Sequence, residues 1–162
     1  DADVVLASLL ADDPLRERRQ FHLIDAQGRT ACWTGGSCGP WAGHRHQMNL
    51  SVAGNYLVGE TVLIAMEQAF LASDPCWKLG RRLMTALMAG EAAGGDGRSP
   101  YSTSAALQIS GEAAFPLLDL RVDFRDSAVT ELMNVYERSQ ELWAQQWRDS
   151  FADLPQLNRL VA

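Results

Sequence analysis

The sequence predicts an α+β fold of the layered kind, with helices covering antiparallel sheets. Three observations predict it: two consecutive helical stretches at 60–73 and 77–93, strand-like runs separated by turn signals on either side of them, and a long amphipathic stretch from 127. Strand pairs and helices segregated in this way bury their apolar faces as packed layers. With 162 residues the chain has the size of one domain with one core, assigned to 1–147, with 148–162 as a C-terminal tail.

Asp1 to Ala11 reads as a helix, with Ala2, Val5, Leu6 and Leu9 on one face and early aspartates suited to the positive end of its dipole. Asp12-Asp13-Pro14 stops it, and LRERR at 15–19 reads as a solvated basic linker. Phe21–Asp25 and Thr30–Thr34 are strands joined through Gly28, which is free to take positive φ, and so form a hairpin. A glycine-rich loop follows from Gly35 to Gly43. Met48, Leu50 and Val52 then alternate with Asn49, Ser51 and Ala53, the period of a strand with one buried face.

Glu60 to Ser73 carries Val62, Leu63, Met66, Ala69 and Phe70 at helical spacing and ends at Asp74-Pro75. Trp77 to Ala93 is apolar on more than one face, as expected of a helix covered on two sides. AAGGDGRSPY at 92–101 reads as a flexible loop. Two strands follow, Ser104–Ile109 and the alternation Leu118, Leu120, Val122, Phe124, with Gly111–Pro116 as the turn. One last helix is expected over 127–147, capped by Asp126 or Ser127, with an apolar stripe of Val129, Leu132, Met133, Tyr136, Trp143 and Trp147. That stripe suits core packing or a contact between subunits. In the tail, Phe151, Leu154 and Leu157 are expected to pack down.

The net charge of −6, from 20 acidic and 14 basic residues, argues against nucleic acid as a partner. No apolar run approaches the roughly 20 residues that span a bilayer, and no basic segment followed by an apolar one opens the chain. A cytoplasmic protein with no membrane partner is therefore expected. Cys32, Cys38 and Cys76 are expected to be free thiols, and CWTGGSC with HRH lacks the spacing of a zinc site, so neither metal nor cofactor is expected.

The stretch Thr34–Asn55 concentrates glycines with Cys38, Trp41, His44, His46 and Asn55, which makes it the main site candidate. Cys38 and His44 could form an activated thiolate if they touch; the plainer reading is a small thiol beside a histidine that anchors a loop. Asn55 could stabilise an oxyanion or simply close a turn. Asp96 and Arg98 could hold a polar substrate or form a solvated turn.

The segments LLADDPLRERRQFHLIDAQGRTACWTGGSC, PWAGHRHQMNLSVAGNYLVG, MAGEAAGGDGR followed by SAALQIS, and LDLRVDF resemble successive blocks of a bacterial family of unknown function with the N-terminal-nucleophile (Ntn) hydrolase fold. The resemblance covers roughly residues 1 to 135. It implies an αββα sandwich, two antiparallel sheets between helical layers, here incomplete at the N-terminus. It also implies a nucleophilic Thr, Ser or Cys at a mature N-terminus, a role that Asp1 cannot fill. Family members carry a further N-terminal region, which lies outside this sequence or forms a separate chain. Cys38, Trp41, Gly43, His44, Gly54, Asn55, Gly95 and Asp96 fall in the family's blocks, whereas GRSPYST departs from a more basic run and leaves Arg98 alone there.

Two functions follow as expectations. One is an amide or acyl bond hydrolase acting on a small molecule, with its nucleophile outside this chain, Asn55 as oxyanion donor, and Cys38, Trp41, His44, Asp96 and Arg98 lining the pocket. The other is a non-catalytic binding or assembly module on the same fold. A homo-oligomer is expected in either case.

Overall fold

A computed structural model describes residues 1–112 and 114–150. The class is α+β, with five α-helices and three two-stranded antiparallel sheets among the described residues. Helix α1 (Ala2–Asp12) begins at Asp1, whose carboxylate accepts from the Asp3 N–H. A 3₁₀ turn (Arg16–Arg18) leads to the hairpin β1 (Gln20–Ile24) and β2 (Thr30–Thr34), and Gly28 takes φ +80° in the turn as expected.

The glycine-rich segment yields to strand earlier than expected. β3 (Ala42–Gln47) starts at Ala42 and pairs with β4 (Leu50–Asn55). Met48, expected to begin a strand, is instead exposed in the turn, beside Asn49 at φ +63°. The packed pair α2 (Glu60–Ala72) and α3 (Leu79–Ala92) follows, then the hairpin β5 (Ala105–Ile109) and β6 (Leu118–Val122).

The expected final helix is two helices, α4 (Ala128–Ser139) and α5 (Leu142–Asp149). Glu141 is extended (φ −62°, ψ 149°), and local side chains satisfy the backbone that this break frees: Ser139 Oγ donates to the Tyr136 carbonyl and Gln145 Nε2 to that of Gln140. Polar side chains therefore stop a helix that the apolar periodicity alone would continue. Past the break the stripe leaves the core: Val129, Leu132 and Tyr136 are buried, while Trp143 and Trp147 are 64% and 63% exposed. Ser127 is the N-cap residue, but its side chain makes no capping bond. Phe151, Leu154 and Leu157 lie outside the described residues, as does most of the 148–162 segment.

Three small cores hold these elements. Ala2, Leu6 and Ala31 join α1 to one face of the first hairpin, with Phe21, Leu23 and Trp33 packed around them. Val5 and Leu9, expected on that face, are exposed, because Leu10 fills the contact instead. Leu50, Val52 and Leu63 join α2 to one face of the second hairpin, beside Trp41, Leu57, Met66 and Phe70. Met84, Leu107, Leu132 and Tyr136 bind α3 and α4 to β5–β6, so α3 is covered on two sides as expected.

Strand alternation dictates what lies between the first two hairpins. With Phe21, Leu23, Ala31 and Trp33 turned to α1, the residues Gln20, His22, Thr30, Cys32 and Thr34 face the other way. With Leu50 and Val52 turned to α2, Ser51 also faces the other way. The order α1, hairpin, hairpin, α2 results, with a polar layer at its centre.

Candidate functional site

That polar layer forms the floor of the site. Three histidines each hold a hydroxyl of the opposite hairpin through Nδ1: His22 with Ser51 Oγ at 2.5 Å, His44 with Thr34 Oγ1 at 2.8 Å, and His46 with Thr30 Oγ1 at 2.9 Å. Their rings form a row, with centroids 6.0 Å apart for His22 and His44 and 5.8 Å for His44 and His46. Cys32 Sγ lies 3.2 Å from Ser51 Oγ, and burial raises the pKa of this thiol. Gln20 completes the joint, its Nε2 donating to Thr34 Oγ1 and to the carbonyls of Gly43 and Gly54. Among the described residues, no group of three or more His, Cys, Asp or Glu could hold a metal ion.

Burial, followed by the neighbouring His44 and His46, holds His22 below the ordinary histidine pKa; burial and then His46 do the same for His44. His22 Nε2 is buried without a partner, so a proton added there has nothing to bond. Because these folded-state pKa values lie below the unfolded value of about 6.5, the unfolded chain takes up protons first. The stabilisation is complete above that pH and is lost as the pH falls below it. The urea midpoint should therefore drop between about pH 7 and pH 5, and drop less in His22→Gln; a flat wild-type midpoint across this range would contradict the assignment. The carboxylate of Asp96, whose pKa Arg98 lowers by hydrogen bonding, sheds its share only below about pH 4.

Above this floor opens a cleft of ≈480 Å³, walled by Thr34, Cys38, Trp41, His44 and the glycines between them. The wall is built against residues 17–19, so the segment expected as a solvated basic linker is bonded to the glycine loop. The Gly35 N–H donates to the Arg19 carbonyl, Gly36 to Glu17 Oε2, Ser37 to the Glu17 carbonyl, Cys38 to the Gly35 carbonyl and Gly39 to Asn55 Oδ1. Every N–H from Gly35 to Gly39 is thus spent inside the protein.

Gly35 is what allows this approach. A β-carbon there would sit 2.3 Å from the backbone of Glu17, which cannot swing aside as a side chain could. Gly35→Ala should therefore destabilise the chain by about 1–3 kcal/mol. In amide hydrogen exchange Ser37 and Cys38 should lose protection; wild-type protection would show that the contact is not needed.

Cys38, Trp41 and His44 do meet in one cleft, as the sequence suggested. Cys38 and His44 are not hydrogen-bonded to each other, however: Cys38 Sγ is directed to the Arg19 carbonyl at 3.5 Å and His44 Nδ1 to Thr34. Trp41 lies across Gly43, where a β-carbon would come within 2.8 Å of its ring, and it also packs on the core under β4.

Asn55 does not itself line this cleft but bonds its wall at Gly39; it is paired within its strand opposite Ala42, so it does not close a turn, and Tyr56, at φ +61°, makes that bend. Gly39 holds Asn55 Oδ1 at 2.8 Å, which leaves Nδ2 as the side chain's donor.

Asp96 and Arg98 do not line this cleft. They are fork-paired with each other, and Arg98 lies 4.4 Å from the ring centre of Tyr56. Their loop is tied down, since Gly97 donates to the Tyr56 carbonyl and Val58 to that of Gly95. Tyr56 connects the two groups, its ring standing against Gly39.

Sequence reasoning passed over Gln20, His22, Cys32, Ser51 and Tyr56. The available signal was the alternation Thr30, Cys32, Thr34 opposite His44, His46, which sets hydroxyls and imidazoles on facing strands.

Comparison with known proteins places the chain. Residues 1–132 match the family described as a family of unknown function (DUF1028), and the chain belongs to that family. A crystal structure of a protein from Silicibacter pomeroyi, assigned to the same family, superposes with a TM-score of 0.79 at 28% identity. The match covers 91% of this chain but 64% of that one, so the chain spans just under two thirds of its relative's length. No curated protein matches. Among the described residues, no helix is long and apolar enough to cross a membrane.

Proposed function

We propose that this chain, as a member of that family, carries one wall of an amide or acyl bond hydrolase site of the Ntn type. Asn55 then donates to the developing oxyanion, and the nucleophile comes from a segment outside these 162 residues. The observation that carries the reading is the orientation of Asn55: its oxygen is committed to Gly39, so its amide N–H groups are the atoms left to stabilise negative charge. Two further observations support it. The succession α1, hairpin, hairpin, α2 has the layer order of an αββα sandwich. Within the cleft, Cys38 Sγ is directed to the Arg19 carbonyl and is not hydrogen-bonded to His44, so the described residues show no thiol–imidazole pair there.

The test is acylation of the full-length family protein with a β-lactone probe, read by intact mass and peptide mapping. The reading expects a single adduct on a Thr, Ser or Cys at a mature N-terminus. An adduct on Cys38, or none, overturns it. The absence of any adduct would favour the alternative of a non-catalytic assembly module and homo-oligomer, for which the exposed Leu142 and Trp143 on α5 offer apolar surface.

A further inference from the structure

Among the described residues, the cleft's wall contains no carboxylate, ammonium or guanidinium group. The N–H groups from Gly35 to Gly39, which elsewhere would attract an anion, are consumed internally. The charged side chain bonded to that loop is a carboxylate, Glu17. Arg19 is ion-paired with Asp13 and Arg98 with Asp96. What the cleft does present is a flat apolar surface and one imidazole. Trp41 is held across Gly43, and His44, fixed through Nδ1 by Thr34, keeps Nε2 as its remaining ring nitrogen. The titratable groups around His44 are other imidazoles, His22 and His46, while Arg45 on the same strand is paired with Glu67 on α2.

We infer that the cleft takes an uncharged planar group, a carboxamide or a ring bearing one, laid on Trp41 and hydrogen-bonded by His44, and that it rejects the corresponding carboxylate. The inference rests on the cleft being the substrate site proposed above and names what that site accepts. For a hydrolase of amides this has a direct consequence. A neutral amide enters, and the carboxylate released by its hydrolysis finds no cation among the described residues of the wall to offset the loss of its hydration, so the product is held less firmly than the substrate.

The probes are benzamide and benzoate, which share a ring and differ in charge, titrated into this chain and followed by ¹H–¹⁵N correlation spectra. Benzamide should shift the amides of Gly36 and Gly39 and the Trp41 indole saturably, and benzoate should bind there about tenfold more weakly or worse. His44→Phe should remove the benzamide response while the dispersed spectrum remains; if that variant does not fold, the comparison of probes on the wild-type chain still decides. Benzoate binding in the cleft as tightly as benzamide overturns the inference, as does the failure of either probe to move the cleft resonances. Failure of the hydrolase reading looks different: no β-lactone adduct on the full-length protein, with the preference for benzamide intact.

Discussion

Asn55→Asp should lower kcat of the full-length protein on the amide substrate proposed above by about 10²–10³-fold, the cost of losing one oxyanion donor if Asn55 holds that proposed role. The substitution is chosen because it separates two roles. Aspartate keeps an oxygen where Gly39 donates its N–H, so the loop stays anchored, but it replaces the donating amide nitrogen with an acceptor. The urea midpoint should therefore hold while turnover falls, and the fall should appear in kcat more than in KM, because the lost interaction belongs to the transition state. Asn55→Ala removes both roles and should in addition release the Gly39 amide to exchange. Unchanged turnover in Asn55→Asp would take the oxyanion role away from this residue and leave it as a strut between β4 and the glycine loop.

Leu63→Ala should cost about 2–5 kcal/mol of stability, the range for a buried leucine truncated in a packed core. Leu63 is 0% exposed and sits between α2 and β4, in contact with the cluster that also holds Trp41. The three cores among the described residues are small, so a cavity here removes a large share of what fastens α2 to the second hairpin. Leu71→Ala, on the same helix but half-exposed, should stay within about 0.5 kcal/mol of wild type. Urea denaturation of the two variants side by side is the check. A Leu63→Ala loss no larger than that of Leu71→Ala would mean that the described packing does not carry the stability.

Local patterns made much of this fold legible. The β1–β2 hairpin, the β5–β6 pair, α2 and the start of α1 follow from period, turn residues and caps, each a property of a few neighbouring side chains. The errors arose where polar hydrogen bonds decide, near or far along the chain. The break at Gln140–Glu141 depends on Gln145 and Ser139 accommodating freed backbone, which no apolar period records. The 92–101 loop looked flexible because its composition is glycine-rich, but Tyr56 and Val58 tie it down from about 40 residues earlier in the chain.

The site divides in the same way. Cys38, Trp41 and His44 were visible as chemistry-bearing residues in one glycine-rich stretch, and they do share a cleft. Their partners were not visible: Arg19 takes Cys38, Thr34 takes His44, and Gly39 takes the oxygen of Asn55. By itself the sequence determined which residues could do chemistry and the alternation that turns them to one side of each strand, because both are local properties of side chain and backbone. Only the tertiary structure decided that two polar strand faces meet, that three histidines line up between them, and that the glycine loop spends its N–H groups on residues 17–19 and on Asn55. Those outcomes require groups far apart in sequence to find each other's unsatisfied donors and acceptors, which no local pattern encodes.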